Sequence, residues 1–258
     1  GKKYDVLIGL SGGVDSTYVA YLCYKYKLRA IAVHLDNGWN SELSVVNIKN
    51  ILKYTGFDLY TYVINWNEFK DLQRSYFKAD VVDIEVLTDH AITSIMQRTA
   101  IKNKVKYILS GSSITTEGIL PVPWVFSKGD HLNIKSIQNK FGTKKIRTYP
   151  INGFLGDIVR NKVYHLQNID ILNYINYNKE DAKKIIKDVF KWRDYGGKHY
   201  ESVFTRFYQA YILPGKFDID KRKSHYSTLI CAGQMTREEA LRLIKEPLYS
   251  SELLKNSD

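Results

Sequence analysis

A glycine- and hydroxyl-rich loop at residues 11–16 (SGGVDS) restricts the possible folds of this chain more than any other stretch. It follows an apolar run at residues 4–10 and precedes residues 17–26, in which apolar side chains recur at helical spacing. A strand that turns through two glycines into a helix lets the backbone approach an anion closely. The free N–H groups of the first helical turn then point at that anion. The loop therefore predicts a phosphate-binding site in an α/β fold.

The side chains of the loop indicate which phosphate chemistry to expect. A Walker-type loop carries a lysine after its glycines, whereas Gly12 and Gly13 are followed by none. The loop instead has hydroxyls at Ser11 and Ser16 and a carboxylate at Asp15. A carboxylate beside phosphates is repulsive unless a cation lies between them, so Asp15 predicts a Mg²⁺ site. A simple turn between strand and helix would not need this carboxylate.

The composition is that of a globular protein, with 44% hydrophobic and 25% charged residues in 258. We find no apolar run long enough to span a bilayer and no signal-peptide pattern. The two cysteines, Cys23 and Cys231, lie far apart and have no metal-type spacing. Together with the phosphate site, these features predict a cytoplasmic protein. The net charge of +11 resides mostly in residues 128–258, which fits an anionic partner and equally a solvated lysine-rich surface.

Strand and helix patterns alternate along the first half of the chain. Repeated βαβ units predict a doubly wound, mostly parallel sheet with helices on both faces. We expect strands at residues 4–10, 29–35, 59–64 and 106–109, and helices at 15–26, 41–54, 66–78 and 90–103. The predicted organisation is a phosphate-binding α/β domain at 1–153 and a mainly helical region at 154–258 that completes the substrate site.

The later part of the chain has less regular patterns. Residues 112–153 contain three prolines and little periodicity, which predicts a long and mobile excursion beside the site. Helices are expected at residues 155–174, 179–190, 200–212 and 236–245. Thr236, followed three residues later by Glu239, fits a capping box at the start of the last helix.

Ligands of such sheets bind outside the carboxyl ends of the strands. Asp36 follows the second strand and is placed to meet the ribose or base of a nucleotide, although a simple Asn-Gly turn fits the same residues. Gly111 follows the fourth strand and closes the third side of the pocket. Glu117 is a candidate metal ligand or substrate contact, or a solvated loop glutamate. His90 could touch the substrate, or could merely follow a capping Asp89.

A phosphate leaving group needs cations to stabilise its negative charge, and the loop supplies none. Lys198 and Lys221 are the candidates for this role, with ordinary basic surface residues as the alternative. The same two segments, residues 192–214 and 219–225, combine basic and aromatic side chains beyond what a surface helix needs. They supply three further candidate substrate contacts: Arg206, Arg222 and His225.

Several stretches together resemble the N-acetyl sugar amidotransferases, which are PP-loop ATP pyrophosphatases of bacterial surface-polysaccharide and flagellar sugar pathways. The stretches are SGGVDSTYVAY, HLDNGWNSEL, TDHAI, TEGILP, WRDYGGKHYESVFTRFYQAYILP and KRKSHYSTLICAGQMTREEAL. The resemblance extends over residues 4–250. Two features depart from the family: Val14 stands where relatives often have lysine, and the cysteine-bearing segment with which relatives usually begin is absent.

The resemblance implies an enzyme that adenylates the acetamido oxygen of an N-acetylated, nucleotide-activated sugar and replaces it with ammonia, with ATP and Mg²⁺. It implies that the phosphates and Mg²⁺ are held by Ser11, Gly12, Gly13, Asp15 and Ser16, and that the nucleotide pocket is lined by Asp36 and Gly111. It also implies a separate glutaminase and a barrel-like subunit, both similar to the histidine-pathway synthase pair. It predicts no nucleic-acid partner.

Two other functions fit parts of the sequence. Val14 and the basic second half are compatible with a PP-loop tRNA-modifying enzyme, either a thiolase or a lysidine-synthase-like ligase. Thiolases commonly rely on paired cysteines or a sulfur carrier, and Cys23 lies within the first predicted helix. The third hypothesis is a non-catalytic nucleotide-binding module on the same fold. The carboxylate of Asp15 argues against it, because a site that has lost its activity tends to lose its metal-binding carboxylate. One fold hosts many functions, so the late motifs must separate these three.

Overall fold

A computed structural model describes residues 2–153, 156, 163–196 and 201–248. These residues contain one five-stranded sheet, in the order β3-β2-β1-β4-β5, in which every neighbouring pair is parallel. The strands are β1 (Val6–Gly9), β2 (Ala30–Asp36), β3 (Asp58–Val63), β4 (Tyr107–Ser110) and β5 (Gln167–Asp170). The predicted α/β fold with a parallel sheet and a helical C-terminal part is confirmed.

Helices cover both faces of the sheet. They are α1 (Val14–Lys25), α2 (Glu42–Thr55), α3 (Trp66–Ala79), α4 (Val86–Lys102), α5 (Ile114–Glu117), α6 (His131–Phe141), α7 (Lys179–Phe190), α8 (Val203–Phe207), α9 (Leu213–Phe217), α10 (Lys221–Cys231) and α11 (Arg237–Ile244). A π-helical turn, Tyr208–Ile212, joins α8 to α9. Among the described helices, none has the length and apolarity needed to cross a membrane.

Two apolar cores lie on opposite faces of the sheet. Ile8 points into the core that contains Ile51 of α2 and Ile186 of α7. Its neighbour Leu7 points into the other core, which contains Phe69 of α3. Successive side chains of a strand face opposite sides, and a parallel sheet covered on both faces reads as a continuous apolar run. The run in β1 is therefore buried on both sides, and the loop that follows it is held rigidly.

The strand order places the phosphate loop at the centre of the sheet. From β1 the chain winds outward through β2 and β3, then returns to the other side of β1 with β4 and β5. The switch in direction lies between β1 and β4, where ligands of doubly wound sheets bind. The loop after β1 and Gly111 after β4 therefore flank one crevice.

The N-cap bond of the capping box predicted at the last helix is present. The hydroxyl of Thr236 accepts a hydrogen bond of 3.1 Å from the backbone N–H of Glu239, at the start of α11. The same device starts α2, where Ser41 accepts from the backbone N–H of Ser44 at 3.1 Å. These caps satisfy donors that have no partner inside a helix.

One predicted helix is wrong in its described part. The helix expected at residues 155–174 contains β5, which pairs with β4 between Tyr107 and Ser110. Local spacing of apolar residues does not separate a short strand from a helix, and pairing with β4 decides the outcome. The sheet thus continues past the domain boundary predicted at residue 153. Residues 155 and 157–162 of that predicted helix lie outside the described residues.

The excursion at residues 112–153 has regular elements and long-range hydrogen bonds. It contains α5 and α6, and two carboxylates of α3 hold its end. Asp71 accepts hydrogen bonds from Gln138 and from the backbone of Thr143 and Lys144, at 2.6–2.9 Å. Glu68 accepts from three consecutive backbone N–H groups, those of residues 147–149. These long-range bonds connect the end of the excursion to α3, and the sequence pattern does not show them; mobility of the excursion stays a prediction.

Candidate active site

Two glycines shape the loop between β1 and α1. Gly12 has φ +82°, and a Cβ at this position would lie 2.7 Å from the carbonyl oxygen of Ser44. A Cβ on Gly13 would lie 3.1 Å from the Ser11 hydroxyl and 3.2 Å from the Tyr195 hydroxyl. Position 12 therefore requires glycine. Glycine at position 13 keeps a side chain out of the space between the loop, the Ser11 hydroxyl and the Tyr195 hydroxyl.

The loop hydroxyls hold the turn in shape. The Ser11 hydroxyl accepts from the backbone N–H of Gly13 at 3.2 Å and lies 3.1 Å from the Ser16 hydroxyl. The Ser16 hydroxyl donates to the Gly13 carbonyl at 3.2 Å. These bonds fix the backbone so that the first turn of α1 faces the crevice.

The first turn of α1 offers donors to an anion. The backbone N–H groups of Asp15 and Ser16 meet no acceptor among the described residues. The hydroxyl of Thr17, which is fully buried, has no hydrogen-bond partner there either. Unsatisfied N–H groups at a helix N-terminus form a site for phosphate, and the helix dipole adds to the attraction. The loop therefore fits the phosphates of ATP.

Two carboxylates from distant segments act on one phenol beside this turn. The hydroxyl of Tyr177, which is 3% exposed, donates to Asp15. Burial raises the pKa of Tyr177, and the charges of Asp15 and Glu117 raise it further. Glu117 of α5 thus acts on the same phenol as Asp15, although the two residues lie far apart in the chain.

This donor set fits Mg²⁺. The cation prefers oxygen ligands and is usually held by one or two carboxylates together with substrate phosphates and water. Asp15 is next to the open amides, and Glu117, which is exposed, acts electrostatically on the same Tyr177 phenol. No group of three or more His, Cys, Asp or Glu that could hold a metal occurs in the described part of the chain. The roles of Asp15 and Glu117 as ligands stay predictions.

Asp36 organises the turn at the carboxyl end of β2. Its Oδ1 accepts from the backbone N–H of Gly38 at 3.0 Å and from the side-chain amide of Asn40 at 3.3 Å. Gly38 has φ +80°. The Asn-Gly turn is therefore real, and it places the Asp36 carboxylate one strand away from the phosphate loop. Its contact with the nucleotide stays a prediction.

Gly111 allows the fourth strand to approach the loop. A Cβ at this position would lie 3.1 Å from the carbonyl carbon of Asp15 and 3.1 Å from the backbone nitrogen of Ser16. Any larger residue would push the first turn of α1 out of place. The structure thus brings Gly111 against the predicted phosphate-binding residues, at the switch point of the sheet.

The second half of the chain docks directly on this site. Ser202 forms an antiparallel bridge with Asn40, just after β2. The flanking backbone bonds are Ser41 N–H to the Glu201 carbonyl and Val203 N–H to the Trp39 carbonyl, each 2.9 Å. The start of α8 is therefore fixed to the carboxyl edge of the sheet.

A short segment at residues 192–196, the strap, crosses the phosphate loop. The indole N–H of Trp192 donates to the Gly12 carbonyl at 2.8 Å. The hydroxyl of Tyr195 accepts from the backbone N–H of Val14 at 3.1 Å. Asn47 of α2 exchanges two hydrogen bonds of 2.9 Å with the backbone of Arg193. The strap is thus attached to the loop and to α2 at Trp192 and Arg193, just before Tyr195, and to the loop again at Tyr195 itself.

His90 is placed inside the protein rather than at the crevice. It is 2% exposed. Its Nδ1 lies 2.7 Å from the Lys128 carbonyl, and its Nε2 accepts from the backbone N–H of Asn152 at 3.1 Å. Both ring nitrogens thus tie α4 to the excursion. This environment does not support the prediction that His90 contacts the substrate.

Arg222 is also a structural residue in this structure. Its guanidinium pairs with Asp220 at 2.8 Å and donates to the carbonyl oxygens of Leu243, Ile244 and Glu246, at the end of α11. All five N–H donors of an arginine can be used in this arrangement. The guanidinium therefore caps α11, which does not support a substrate contact.

Lys221 forms an ion pair with Glu85 at 3.0 Å. The same carboxylate accepts a hydrogen bond of 2.8 Å from the side-chain amide of Gln209, in the π-helical turn. The ammonium group therefore joins α10 to the segment before α4. A role for Lys221 on the leaving pyrophosphate stays a prediction.

The other predicted substrate residues differ in position. His225 of α10 has its Nδ1 3.0 Å from the Thr116 carbonyl, which brings it next to Glu117. Arg206 is partly buried on α8, one turn after the bridge at Ser202. Lys198 lies outside the described residues. The structure thus brings His225 to the α5 edge of the site and Arg206 near its α8 edge.

Sequence reasoning missed Tyr177, Trp192, Tyr195 and Glu201 as neighbours of the loop. The last three lie in the WRDYGGKHYE stretch, whose density of aromatic and charged side chains was noticeable in the sequence. Which of them touch the loop depends on tertiary docking, which periodicity does not encode. Tyr177 gave no local signal.

Comparison with protein families gives two matches. Residues 2–120 match the NAD synthase family. Residues 201–258 match the family described as LPS biosynthesis protein WbpG-like, C-terminal domain. A search among curated proteins finds no match.

Several solved structures are similar at low sequence identity. The U34-tRNA thiolase NcsA from Methanococcus maripaludis, with its [4Fe-4S] cluster, is 15% identical with a TM-score of 0.43, covering 97% of this chain and 84% of that chain. The NH3-dependent NAD synthetase from Campylobacter jejuni is 13% identical with a TM-score of 0.39, covering 95% and 89%. The NMN synthetase from Francisella tularensis is 14% identical with a TM-score of 0.37, covering 74% and 84%. At these TM-scores the similarities carry no argument about function.

The two family matches cover separate parts of the chain, and these two parts are in contact at the candidate site. The NAD synthase match contains the phosphate loop, Asp36 and Gly111. The WbpG-like match begins at Glu201, where the second half docks on the carboxyl edge of the sheet. The chain therefore combines a first part with a PP-loop fold, similar to the NAD synthase family, and a last part similar to the WbpG-like C-terminal domain.

Proposed function

We propose that the protein is an ATP-dependent amidotransferase that converts the acetamido group of a nucleotide-activated sugar into an acetamidino group, in the synthesis of a bacterial surface polysaccharide or flagellar glycan. The observation that carries the proposal is the bridge between Ser202 and Asn40. It attaches the beginning of the WbpG-like domain to the edge of the sheet that holds the phosphate loop. A segment similar to the WbpG-like domain of LPS biosynthesis thus lies beside the proposed ATP site, which supports the proposal.

The proposed chemistry overcomes a poor leaving group. An amide carbon resists ammonia because its oxygen does not depart easily. The acetamido oxygen attacks the α-phosphorus of ATP, the bond to the β-phosphate breaks, and pyrophosphate leaves. Ammonia then adds to the activated carbon, and AMP departs with the original oxygen. Two steps of moderate difficulty replace one difficult step.

The residues of the loop have binding and orienting roles in this reaction. The amides of Asp15 and Ser16 bind phosphate oxygens, and the rigid turn around Gly12 aligns the α-phosphate with the incoming oxygen. Asp15 and Glu117 hold Mg²⁺, which when bound neutralises phosphate charge. Gly111 keeps α1 close to β4 so that these groups stay aligned. Asp36 orients the nucleoside from the end of β2.

The proposal includes partners. Ammonia comes from a separate glutaminase, working with a barrel-like subunit similar to the histidine-pathway synthase pair, or from free ammonium. ATP and nucleotide-activated sugars are cytoplasmic metabolites, so the proposed location is the cytoplasm. The sugar is expected near the α5 and α8 edges of the crevice, where His225 and Arg206 lie.

Product analysis tests the proposal. The protein is incubated with ATP, Mg²⁺, ammonium and a panel of N-acetylated nucleotide sugars, and the nucleotide products and sugar masses are followed. We expect AMP and pyrophosphate, together with a sugar in which the amide oxygen is exchanged for an NH group. The Asp15→Asn variant is the matched control and should form neither product.

A second outcome would change the assignment. The basic second half of the chain, which gives most of the net charge of +11, also fits RNA. AMP formation that depends on tRNA, with no response to any sugar, would move the function to the tRNA-modifying enzymes of the superfamily. A tRNA panel therefore belongs in the same experiment.

A further inference from the structure

We propose that Tyr195 is a ligand of the ATP phosphates, contributed by the strap. The inference rests on the proposed use of ATP and adds a phosphate-binding residue from outside the loop. Its starting observation is the hydrogen bond from the Val14 N–H to the Tyr195 hydroxyl, at 3.1 Å. Val14 is the first residue of α1, so the phenol oxygen lies at the helix N-terminus where a phosphate is attracted.

Tyr195 has a hydrogen to offer in this position. Burial raises its pKa, and the negative charge of Glu201 raises it further, so the phenol stays protonated at neutral pH. Its oxygen accepts from Val14, and its O–H remains a donor. A neutral donor beside phosphates is useful here because the loop itself contains no lysine.

The backbone N–H groups at the start of α1 have two kinds of acceptor: one bonds to the phenol, and the next two are available to an anion. The Val14 N–H is satisfied by Tyr195, whereas the next two amides, those of Asp15 and Ser16, meet no acceptor among the described residues. A phosphate on these two amides would therefore be adjacent to the phenol. The bond to Val14 need not break for the phosphate to bind.

The strap fixes Tyr195 at several points. Trp192 donates to the Gly12 carbonyl, and the indole ring contacts the Tyr195 ring edge-on with centroids 5.4 Å apart. Asn47, which is fully buried, holds the backbone of Arg193 with two hydrogen bonds. After Tyr195 the backbone turns at Gly196, whose N–H donates to Asp194 at 3.1 Å. A side chain held this firmly costs little entropy when it binds a ligand.

Glu201 adds a carboxylate to the same corner. A Cβ on Gly13 would lie 3.1 Å from Oε1 of Glu201, so this oxygen borders the space above the loop. The charges of Glu201 and Asp15 both act on the Tyr195 phenol. Carboxylates on either side of a phosphate site require a cation between them, which agrees with the Mg²⁺ expected from Asp15.

Direct binding of inorganic pyrophosphate in the presence of Mg²⁺ tests the inference without turnover. The full chain is titrated calorimetrically, and Tyr195→Phe is compared with Tyr21→Phe. The control removes a hydroxyl from a partly buried tyrosine that stacks on Tyr18, also on α1. We expect Tyr195→Phe to weaken pyrophosphate binding about tenfold or more, as for one hydrogen bond to a charged group, and Tyr21→Phe to leave it unchanged.

Each result has a distinct meaning. Equal or tighter binding by Tyr195→Phe would overturn the inference, and tighter binding would show that the phenol competes with phosphate for the Val14 N–H. Absence of pyrophosphate and ATP binding by the unsubstituted protein would instead contradict the proposed function. Fluorotyrosine at position 195 gives a second readout that needs no destabilising substitution. Its ¹⁹F resonance should shift on addition of pyrophosphate, and an unchanged resonance would also overturn the inference.

Discussion

Asp71 on α3 and Asp15 on α1 are surrounded by very different numbers of hydrogen-bond donors. Asp71 is 8% exposed and accepts hydrogen bonds from Gln138, Thr143 and Lys144. Asp15 is partly exposed and accepts from Tyr177. A carboxylate has about four acceptor sites. The one on α3 is saturated and acts as an internal tie, whereas the one on the loop retains capacity for a ligand.

The number of hydrogen-bond donors around a carboxylate therefore distinguishes a structural from a functional carboxylate in this chain. The α3 carboxylates connect distant backbone segments and should affect stability when changed. The loop carboxylate lies beside open amides and should affect turnover. Each of the following variants is chosen to strengthen or contradict that separation.

Asp15→Asn should have the largest effect, and on turnover alone. Loss of a metal-binding carboxylate removes several kcal/mol of transition-state stabilisation, so ATP turnover should fall about 100-fold or more. Asparagine keeps an acceptor for Tyr177, so the free energy of unfolding should change by less than about 1 kcal/mol. Pyrophosphate release and urea unfolding measure the two quantities. Near-normal turnover in the variant would contradict the metal assignment.

Gly12→Ala should damage both the loop and ligand binding. The alanine would adopt φ +82° and place its Cβ 2.7 Å from the Ser44 carbonyl. Strain of about 1–3 kcal/mol is expected, and pyrophosphate affinity should fall about tenfold or more as the turn shifts. Gly56→Ala is the matched control, since Gly56 also has positive φ, at +70°, but has open space around it.

The control separates strain from function. Gly56→Ala should cost about 1 kcal/mol of stability and leave pyrophosphate binding unchanged, because Gly56 ends α2 on the side away from the loop. Equal losses of pyrophosphate affinity in both variants, measured by calorimetry, would show that binding does not depend on the backbone conformation at Gly12.

Asp71→Asn should lower stability and leave the site intact. An amide at this position would direct N–H donors at the side chain of Gln138 and the backbone of Thr143 and Lys144, which are themselves donors. The free energy of unfolding should fall by roughly 2–4 kcal/mol. Measured on the folded fraction, pyrophosphate affinity should remain unchanged. A loss of affinity without loss of stability would contradict the distinction between the two carboxylates.

The sequence predicts the strand, the loop and the helix of the first half of the candidate site because the signals of these elements are local. Two glycines, two serines and one aspartate in six residues define the turn, and apolar runs define the strands on either side. The α/β class and the central place of the loop follow from these patterns. The strand β5 was missed because a four-residue edge strand is decided by its pairing with β4.

The second half of the site depends on contacts that local patterns do not contain. Lys221 and Arg222 are neighbours in sequence and look equivalent, yet one pairs with Glu85 and the other caps α11. Tyr195 meets Val14 across 181 positions of the chain. A dense motif thus indicates that a segment matters, but only the docked structure shows which side chain meets the loop.

The smallest predicted effect concerns the pH dependence of stability. Burial alone would raise the pKa of Asp71, but hydrogen bonds from Thr143, Lys144 and Gln138 outweigh it and lower the pKa to about 2. Because the folded pKa lies below the unfolded value of about 4, the carboxylate stabilises the protein fully above that value. The contribution should disappear as the pH falls from about 4 through about 2.

Urea unfolding of the unsubstituted protein and Asp71→Asn across this range measures the effect. The difference in unfolding free energy between them should be constant at neutral pH and should narrow progressively below pH of about 4. Burial would raise the pKa of Glu68 as well, but hydrogen bonds from residues 147–149 lower it. Glu68 is present in both proteins, so its titration does not affect the difference in unfolding free energy. If this difference in unfolding free energy stays constant down to pH of about 2, Asp71 stabilises the protein through its shape rather than its charge. Asp71 and Asp15 would then differ in packing and not in how their charges are used.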